Sequence, residues 1–225
     1  MLEARDVYKI YELGDSKVYA LHGVSTQIKR GEFVSIMGPS GSGKTTFLDV
    51  LSCMARPTKG DVLIKGKKIS VMDDDELART RGSTIGFIFQ TFNLVPRLNA
   101  VENVMLPLWF KGVPPAERRQ KAIEALKAVG LGNRLWHKPG QLSGGQRQRV
   151  AIASALAVEP EIIVADEPTG NLDSVSGEQI LELISKLHRE QGKTIIMVTH
   201  ETFVGARAER TLHLMDGKIV AEERK

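Results

Sequence analysis

One cysteine, Cys53, stands in 225 residues. That excludes an internal disulfide and fits a reducing compartment. Its surroundings, Phe47-Leu48-Asp49-Val50-Leu51-Ser52-Cys53-Met54, mark it as a small buried hydrophobe. No apolar run approaches the roughly 18 residues that span a bilayer, so any membrane role falls to a partner subunit. The opening Met1-Leu2-Glu3-Ala4-Arg5-Asp6 has no secretory-signal pattern. There is no internal repeat and no low-complexity segment. Nor is there a block of like charge: 31 Lys and Arg face 27 Asp and Glu, spread along the chain, for a net charge of +4. This argues against a nucleic-acid arm. An excess this small suits an anionic ligand or a membrane surface without selecting either.

The length and the 42% hydrophobic content support one sizeable core, as a single large domain or a domain with a subdomain. Alternation and β-branched residues predict strands over Glu3–Ile10 and Val18–Ile28, then a buried strand Phe33–Met37 and a helix Lys44–Ser52. A short antiparallel return follows Gly60 through Val62–Ile64. Asp73-Asp74-Asp75-Glu76 starts a helix, where the macrodipole favours acids. Ile85–Phe89 is a further strand. Residues 91 to 157 change character. Asn99 caps a helix through Val101–Leu108, Pro114-Pro115 opens one over Ala116–Val129 that Gly130 stops, and Ser143 leads into a third. The pattern then returns to strand Ile162–Ala165, helix Ser174–Gln191 and strand Thr194–Thr199. Arg210–Met215 and Lys218–Glu222 flank Asp216-Gly217, a type I′ hairpin signal. The expected class is α/β, a core with an antiparallel β subdomain over 1–90 and 158–225 and an inserted helical subdomain over 91–157.

Two strings carry chemistry. Gly38-Pro39-Ser40-Gly41-Ser42-Gly43-Lys44-Thr45 follows a predicted strand and opens a predicted helix, the context of a phosphate-binding loop. Its glycines let amides converge on phosphate oxygens, Lys44 reaches the β- and γ-phosphates, and the Thr45 hydroxyl suits Mg²⁺. Thr46 completes the loop's expected contacts. Ile162-Ile163-Val164-Ala165 ends in Asp166 and Glu167. Asp166 is placed to hold the same Mg²⁺ through water and Glu167 to orient and deprotonate the attacking water. Pro168 disfavours helical backbone at Glu167, so an extended exit from the strand is expected there.

With Leu142-Ser143-Gly144-Gly145-Gln146 added, nearly the whole chain resembles the ATP-binding subunit of an ABC transporter, on the P-loop NTPase fold. The resemblance implies that Ser143, Gly144, Gly145 and Gln146, at a helix start, contact the γ-phosphate held by an opposing copy, a role that free first-turn amides can fill. It further implies that Gln90 is the glutamine touching Mg²⁺ and water, that His200 contacts the γ-phosphate, and that Asp173 lies on a loop crossing the dimer interface. Tyr11, on the loop expected after the first strand, matches the aromatic stacked on adenine, with Tyr8 and Tyr19 as competitors. The chain departs from the common pattern at Gly170-Asn171-Leu172-Asp173, where many members read Ser-Ala-Leu-Asp, at Ser154, where arginine is common, and at Glu201, often Asp.

The stretches Met72–Leu77 and Ile85–Pro96 resemble the lipoprotein-release (LolD) and macrolide-export (MacB) subgroup. The resemblance implies ATP and Mg²⁺ as ligands, an ATP-dependent homodimer, an integral-membrane permease as partner, and a place at the cytoplasmic face of the membrane, with no nucleic acid. Val104–Phe110 is a candidate lining for the permease groove. The alternative, a soluble member acting on nucleic acid or ribosomes, calls for a long coiled-coil insertion or tandem cassettes, which this chain does not carry. A kinase on the same core leaves the signature string and His200 without a role.

Overall fold

A computed structural model describes residues 1–14 and 16–225. They divide into two compact units, one of Met1–Arg81 with Gly192–Lys225 and the other of Gly82–Gln191.

The first unit begins with a long antiparallel pair, β1 (Leu2–Leu13) and β2 (Ser16–Ile28). Leu2 and Ala4 are buried, and so is Val7, which breaks the two-residue period. A register irregularity between Ala4 and Val7, with Asp6 at φ 47°, shifts the phase by one residue. The buried strand β3 (Phe33–Met37) runs into helix α1 (Lys44–Leu51). Strands β4 (Lys59–Ile64) and β5 (Lys67–Lys68) extend the antiparallel sheet in the order β2-β1-β4-β5. Helix α2 (Asp74–Thr84) starts with three acids, and the Asp73 carboxylate accepts from the Glu76 amide at 2.7 Å.

In the second unit β6 (Ile85–Ile88) precedes three helices. Asn99 and Glu102 form a reciprocal capping box at the start of α3 (Ala100–Phe110). Helix α4 (Pro115–Ala128) begins with proline in its first turn, and Gly130 follows it at φ 82°. Helix α5 (Gly144–Ala157) packs against both, burying Val150, Ile152 and Ala153 where α3 buries Val101 and Val104 and α4 buries Leu126. Strand β7 (Ile162–Asp166) runs parallel to β6, Ile85 opposite Ile162 and Ile88 opposite Ala165. Helix α6 (Ser174–Gln191) ends the unit.

The chain then completes the first unit with β8 (Thr194–Thr199), α7 (Thr202–Gly205), β9 (Arg210–Met215) and β10 (Lys218–Arg224). Strand β3 lies between β8 and β9, parallel to each, and β10 returns antiparallel to β9. Every residue of β3 and β8 is buried, the continuous pattern of a parallel sheet covered on both faces. Asp216 and Gly217 both have positive φ, 47° and 73°, as the type I′ hairpin requires. Arg210, 7% exposed, donates to Gln27 O (2.7 Å), Thr26 Oγ1 (3.0 Å), Glu32 Oε1 (3.2 Å) and Glu222 Oε2 (2.7 Å). It ties β9 to the end of β2 and to β10.

The α/β class expected from the sequence holds. One placement differs. Tyr11 is inside β1, opposite Val18, and not on a loop after it. Backbone pairing carries the hairpin beyond Ile10 through polar Glu12 and Lys17, which face each other.

Candidate functional site

In the first unit the loop after β3 is built to receive an anion. Helix α1 starts at Gly43, φ 98°, with no side-chain cap and no acid in its first turn. Its leading amides therefore keep their partial positive charge for a ligand. Lys44 is nearly buried, and its ammonium lies across the loop, donating to Pro39 O at 2.7 Å. Ser42 Oγ is buried and has no hydrogen-bond partner among the described residues. That orphan hydroxyl and the uncapped helix start fit a bound phosphate. Pro39, Ser40, Gly41 and Thr45 are exposed, and Thr46 is half-buried.

The loop is held from outside itself. A Cβ on Gly38 would collide with Leu214 O, and one on Gly43 with Ala20 O. The Gly217 amide donates to Ser42 O at 3.0 Å, and Gly217 O accepts from the His22 amide at 2.8 Å. His200 belongs to the same unit. Met37 pairs with Thr199, so parallel pairing sets His200 at the level of Gly38. Thr199 Oγ1 accepts from the Glu201 amide at 3.0 Å, fixing the turn around the exposed His200. Of the three tyrosines, Tyr19 stacks on His22 with centroids 5.2 Å apart, and Tyr8 lies tilted against the same ring at 6.5 Å. Tyr11 is 40% exposed, with Lys9 Nζ 5.1 Å from its centroid.

In the second unit the pairing of Ile88 with Ala165 carries Gln90 and the Asp166-Glu167 pair to one edge of the β6–β7 pair. Glu167 has φ 43°, a left-handed backbone where an extended one was expected. The residue before a proline is barred from right-handed helix. A turn that closes from the Gly170 amide to Glu167 O at 3.0 Å takes the left-handed alternative. Strict alternation along a strand would point Asp166 and Glu167 to opposite faces; here Asp166 ends β7 and Glu167 lies in the left-handed turn beyond it, outside that alternation.

Ser143 and Gln146 form a capping box, Ser143 Oγ accepting from the Gln146 amide (3.2 Å) and Gln146 Oε1 from the Ser143 amide (3.0 Å). The Ser143 amide is thus engaged within the helix start, and the first-turn amides of Gly144 and Gly145 are those without an intrahelical acceptor. A Cβ on Gly145 would lie 3.1 Å from the Ser176 side chain, so α5 starts tight against α6. Asp173 caps α6, accepting from the Ser176 amide at 2.9 Å, and hydrogen bonds from Ser176, backbone first, hold its carboxyl below the usual range. Two residues carry geometry that motif reading passed over. Gln148, fully buried on α5, donates to Pro168 O (2.8 Å) and Phe89 O (3.3 Å), and Asn171 Nδ2 donates to Gln90 O at 2.9 Å. The signal for Gln148 was an amide on the same apolar stripe as Ile152 and Ala155.

The ABC transporter family profile matches residues 21–170, and the chain belongs to that family, whose defining part is an ATPase cassette. Among its relatives, an uncharacterized ABC transporter ATP-binding protein of Thermotoga maritima is 55% identical over all of this chain and 96% of its own. The macrolide export ATP-binding/permease protein MacB of Hyphomonas neptunium is 50% identical over 99% of this chain, which spans 34% of that longer protein. The dimeric post-hydrolysis structure of the ATP-binding cassette MJ0796, bound to ADP and Pi, superposes with a TM-score of 0.92 at 51% identity. That likeness covers 100% of this chain and 98% of the other.

Proposed function

We propose that two copies of this chain pair head to tail around ATP and hydrolyse it to drive a membrane permease of the export or lipoprotein-release kind, at the cytoplasmic face. The observation that carries this reading is the close likeness to a cassette solved as a dimer with ADP and Pi. The MacB relative, named as both ATP-binding protein and permease, supports a membrane partner. No described helix is long and apolar enough to cross a membrane.

In this reading residues 1–90 and 158–225 are the nucleotide-binding core and 91–157 the helical signature subdomain. Tyr11, exposed and with no aromatic ring partner among the described residues, stacks on adenine. The loop Gly38 to Thr46, through its free amides, and the Lys44 ammonium hold the phosphates of one copy's nucleotide. Gly144 and Gly145, set by the Ser143–Gln146 capping box, approach the γ-phosphate of the other's, and Asp173 lies at that seam. Thr45, Gln90 and Asp166 offer a hydroxyl, a carboxamide and a carboxylate, a hard oxygen set that fits Mg²⁺ together with phosphate oxygens. Mg²⁺ held by them would supply neutralisation of phosphate charge. Glu167 orients water in line with the γ-phosphorus and takes its proton as the bond to the bridging oxygen breaks. His200 donates to the γ-phosphate.

The test is Glu167→Gln. It should keep ATP affinity, lower hydrolysis by about 10²- to 10⁴-fold, and accumulate an ATP-dependent dimer in light scattering. Hydrolysis at the wild-type rate, or a monomer at saturating Mg-ATP with the permease supplied, overturns the reading.

A further inference from the structure

Gln148 is an odd residue to find where it is. Its side chain is fully buried, and its carboxamide Oε1 has no hydrogen-bond partner among the described residues. A buried amide with an unanswered acceptor costs stability that an apolar side chain of the same shape avoids. What the amide obtains in return is geometric. Nε2 bridges Phe89 O, at the end of β6, and Pro168 O, inside the turn that follows Glu167.

That turn holds Glu167 at φ 43°, a conformation that persists only when its surroundings over-determine it. Gly170 closes it onto Glu167 O, and Gln148 pins the carbonyl in between. From the other side Asn171 donates to Gln90 O. The two peptides flanking Gln90 are therefore gripped at consecutive carbonyls by two side-chain amides, one from α5 and one from the segment before α6. Gln90 also lies against Gly170, whose Cβ, were there one, would sit 2.6 Å from Gln90 Nε2.

We infer that Gln148 and Asn171 are positioning residues for hydrolysis. Their amides lock the end of β6, the turn carrying Glu167 and the start of α5 into one piece, so that a displacement of the signature helix reaches Gln90 and Glu167 together. This rests on the proposed ATPase role of Glu167 and Gln90. Neither residue touches the nucleotide in this account; both act through groups that do. The departure from the common Ser-Ala-Leu-Asp pattern thereby gains a role, since an alanine at 171 has no donor to offer.

The experiment uses Gln148→Met, which keeps length and apolar volume but removes the donor, and Asn171→Asp, an isosteric change at an exposed loop position. Misplacement of catalytic groups by about an ångström costs up to 10²-fold in rate. Gln148→Met should lower kcat of ATP hydrolysis roughly 10- to 100-fold and Asn171→Asp about 3- to 10-fold. Both should leave KM, the ATP dissociation constant by calorimetry and the dimer-forming ability of a Glu167→Gln background within about twofold. The melting temperature of Gln148→Met should stay close to that of wild type, because loss of the orphan acceptor offsets the donor withdrawn from Pro168 O and Phe89 O. The double variant should lose less than the product of the single losses, because both amides hold the backbone on either side of Gln90. Unchanged kcat in both variants overturns the inference, and so does a kcat loss that tracks loss of ATP affinity or of melting temperature. Should Gln148→Met fail to fold, Asn171→Asp alone decides by its kcat. If wild type does not hydrolyse ATP in the same assay, it is the ATPase reading that fails, not the positioning.

Discussion

Replacing Arg210 with methionine tests how the first unit is held together. The guanidinium is 7% exposed and makes four hydrogen bonds, two of them to carboxylates. Burial opposes its charge, but the hydrogen bonds it donates to Glu222 and Glu32 win and raise its pKa above the ordinary guanidinium value. Removing one partner of a buried ion pair costs about 3–5 kcal/mol. Two features put this case at the low end. The Glu222 side chain is 37% exposed, so its share is screened, and Arg210 Nε has no acceptor among the described residues. The net loss should be about 3 kcal/mol, or roughly 6–12 °C in melting temperature for a chain of this length. Circular dichroism of thermal and urea unfolding measures it. The loss also has a pH signature. The Arg210 hydrogen bond holds the Glu222 carboxyl below its ordinary value of 4.5. A lowered carboxyl contributes stability that is complete above the unfolded value and disappears as pH falls through the folded one. The gap between Arg210→Met and wild type should therefore narrow as pH drops from about 5 into the acid range. A change within about 0.5 kcal/mol of zero at neutral pH, or a gap indifferent to acid, refutes this account.

Two further outcomes follow from backbone and burial. The Cys53 thiol is fully buried, and burial pushes it up to about 11. At pH 8 only about one molecule in 10³ carries a thiolate, so a disulfide reagent should leave the native protein unmodified for minutes and react stoichiometrically in urea; prompt reaction of the folded protein contradicts the burial. Glu167→Gly relieves a left-handed backbone that costs a non-glycine residue about 1–2 kcal/mol, partly offset by the looser unfolded chain. Its melting temperature should match or exceed wild type while hydrolysis is lost, and a destabilisation beyond about 1 kcal/mol means Glu167 is not strained.

Much of this architecture is legible in sequence because its signals are local. The strands Phe33–Met37 and Thr194–Thr199 and the helix Ser174–Gln191 match expectation residue for residue. Their apolar patterns are unbroken and their ends are marked by glycine, proline or caps. Asn99 with Glu102 and Ser143 with Gln146 are capping boxes visible at a spacing of three. What stayed hidden depends on partners distant in the chain. The extension of β1 past Ile10 rests on backbone pairing between polar residues, which leave no alternation to read. The left-handed turn at Glu167 is set by a hydrogen bond that closes three residues later. Gln148 gives no hint of its acceptors, which lie 59 and 20 residues away.

The walls around the phosphate loop come from Ala20, Leu214 and Gly217, none of which belongs to the eight-residue string that names the motif. Much of the entropy of shaping the loop is therefore spent when the domain folds, before any nucleotide arrives. It also means the string is not portable. Grafted onto another strand and helix without the hairpin tip beneath it and the β2 carbonyl beside it, the same eight residues would form a floppy turn. Engineers lengthening the β9–β10 connection would be editing the nucleotide cradle from underneath.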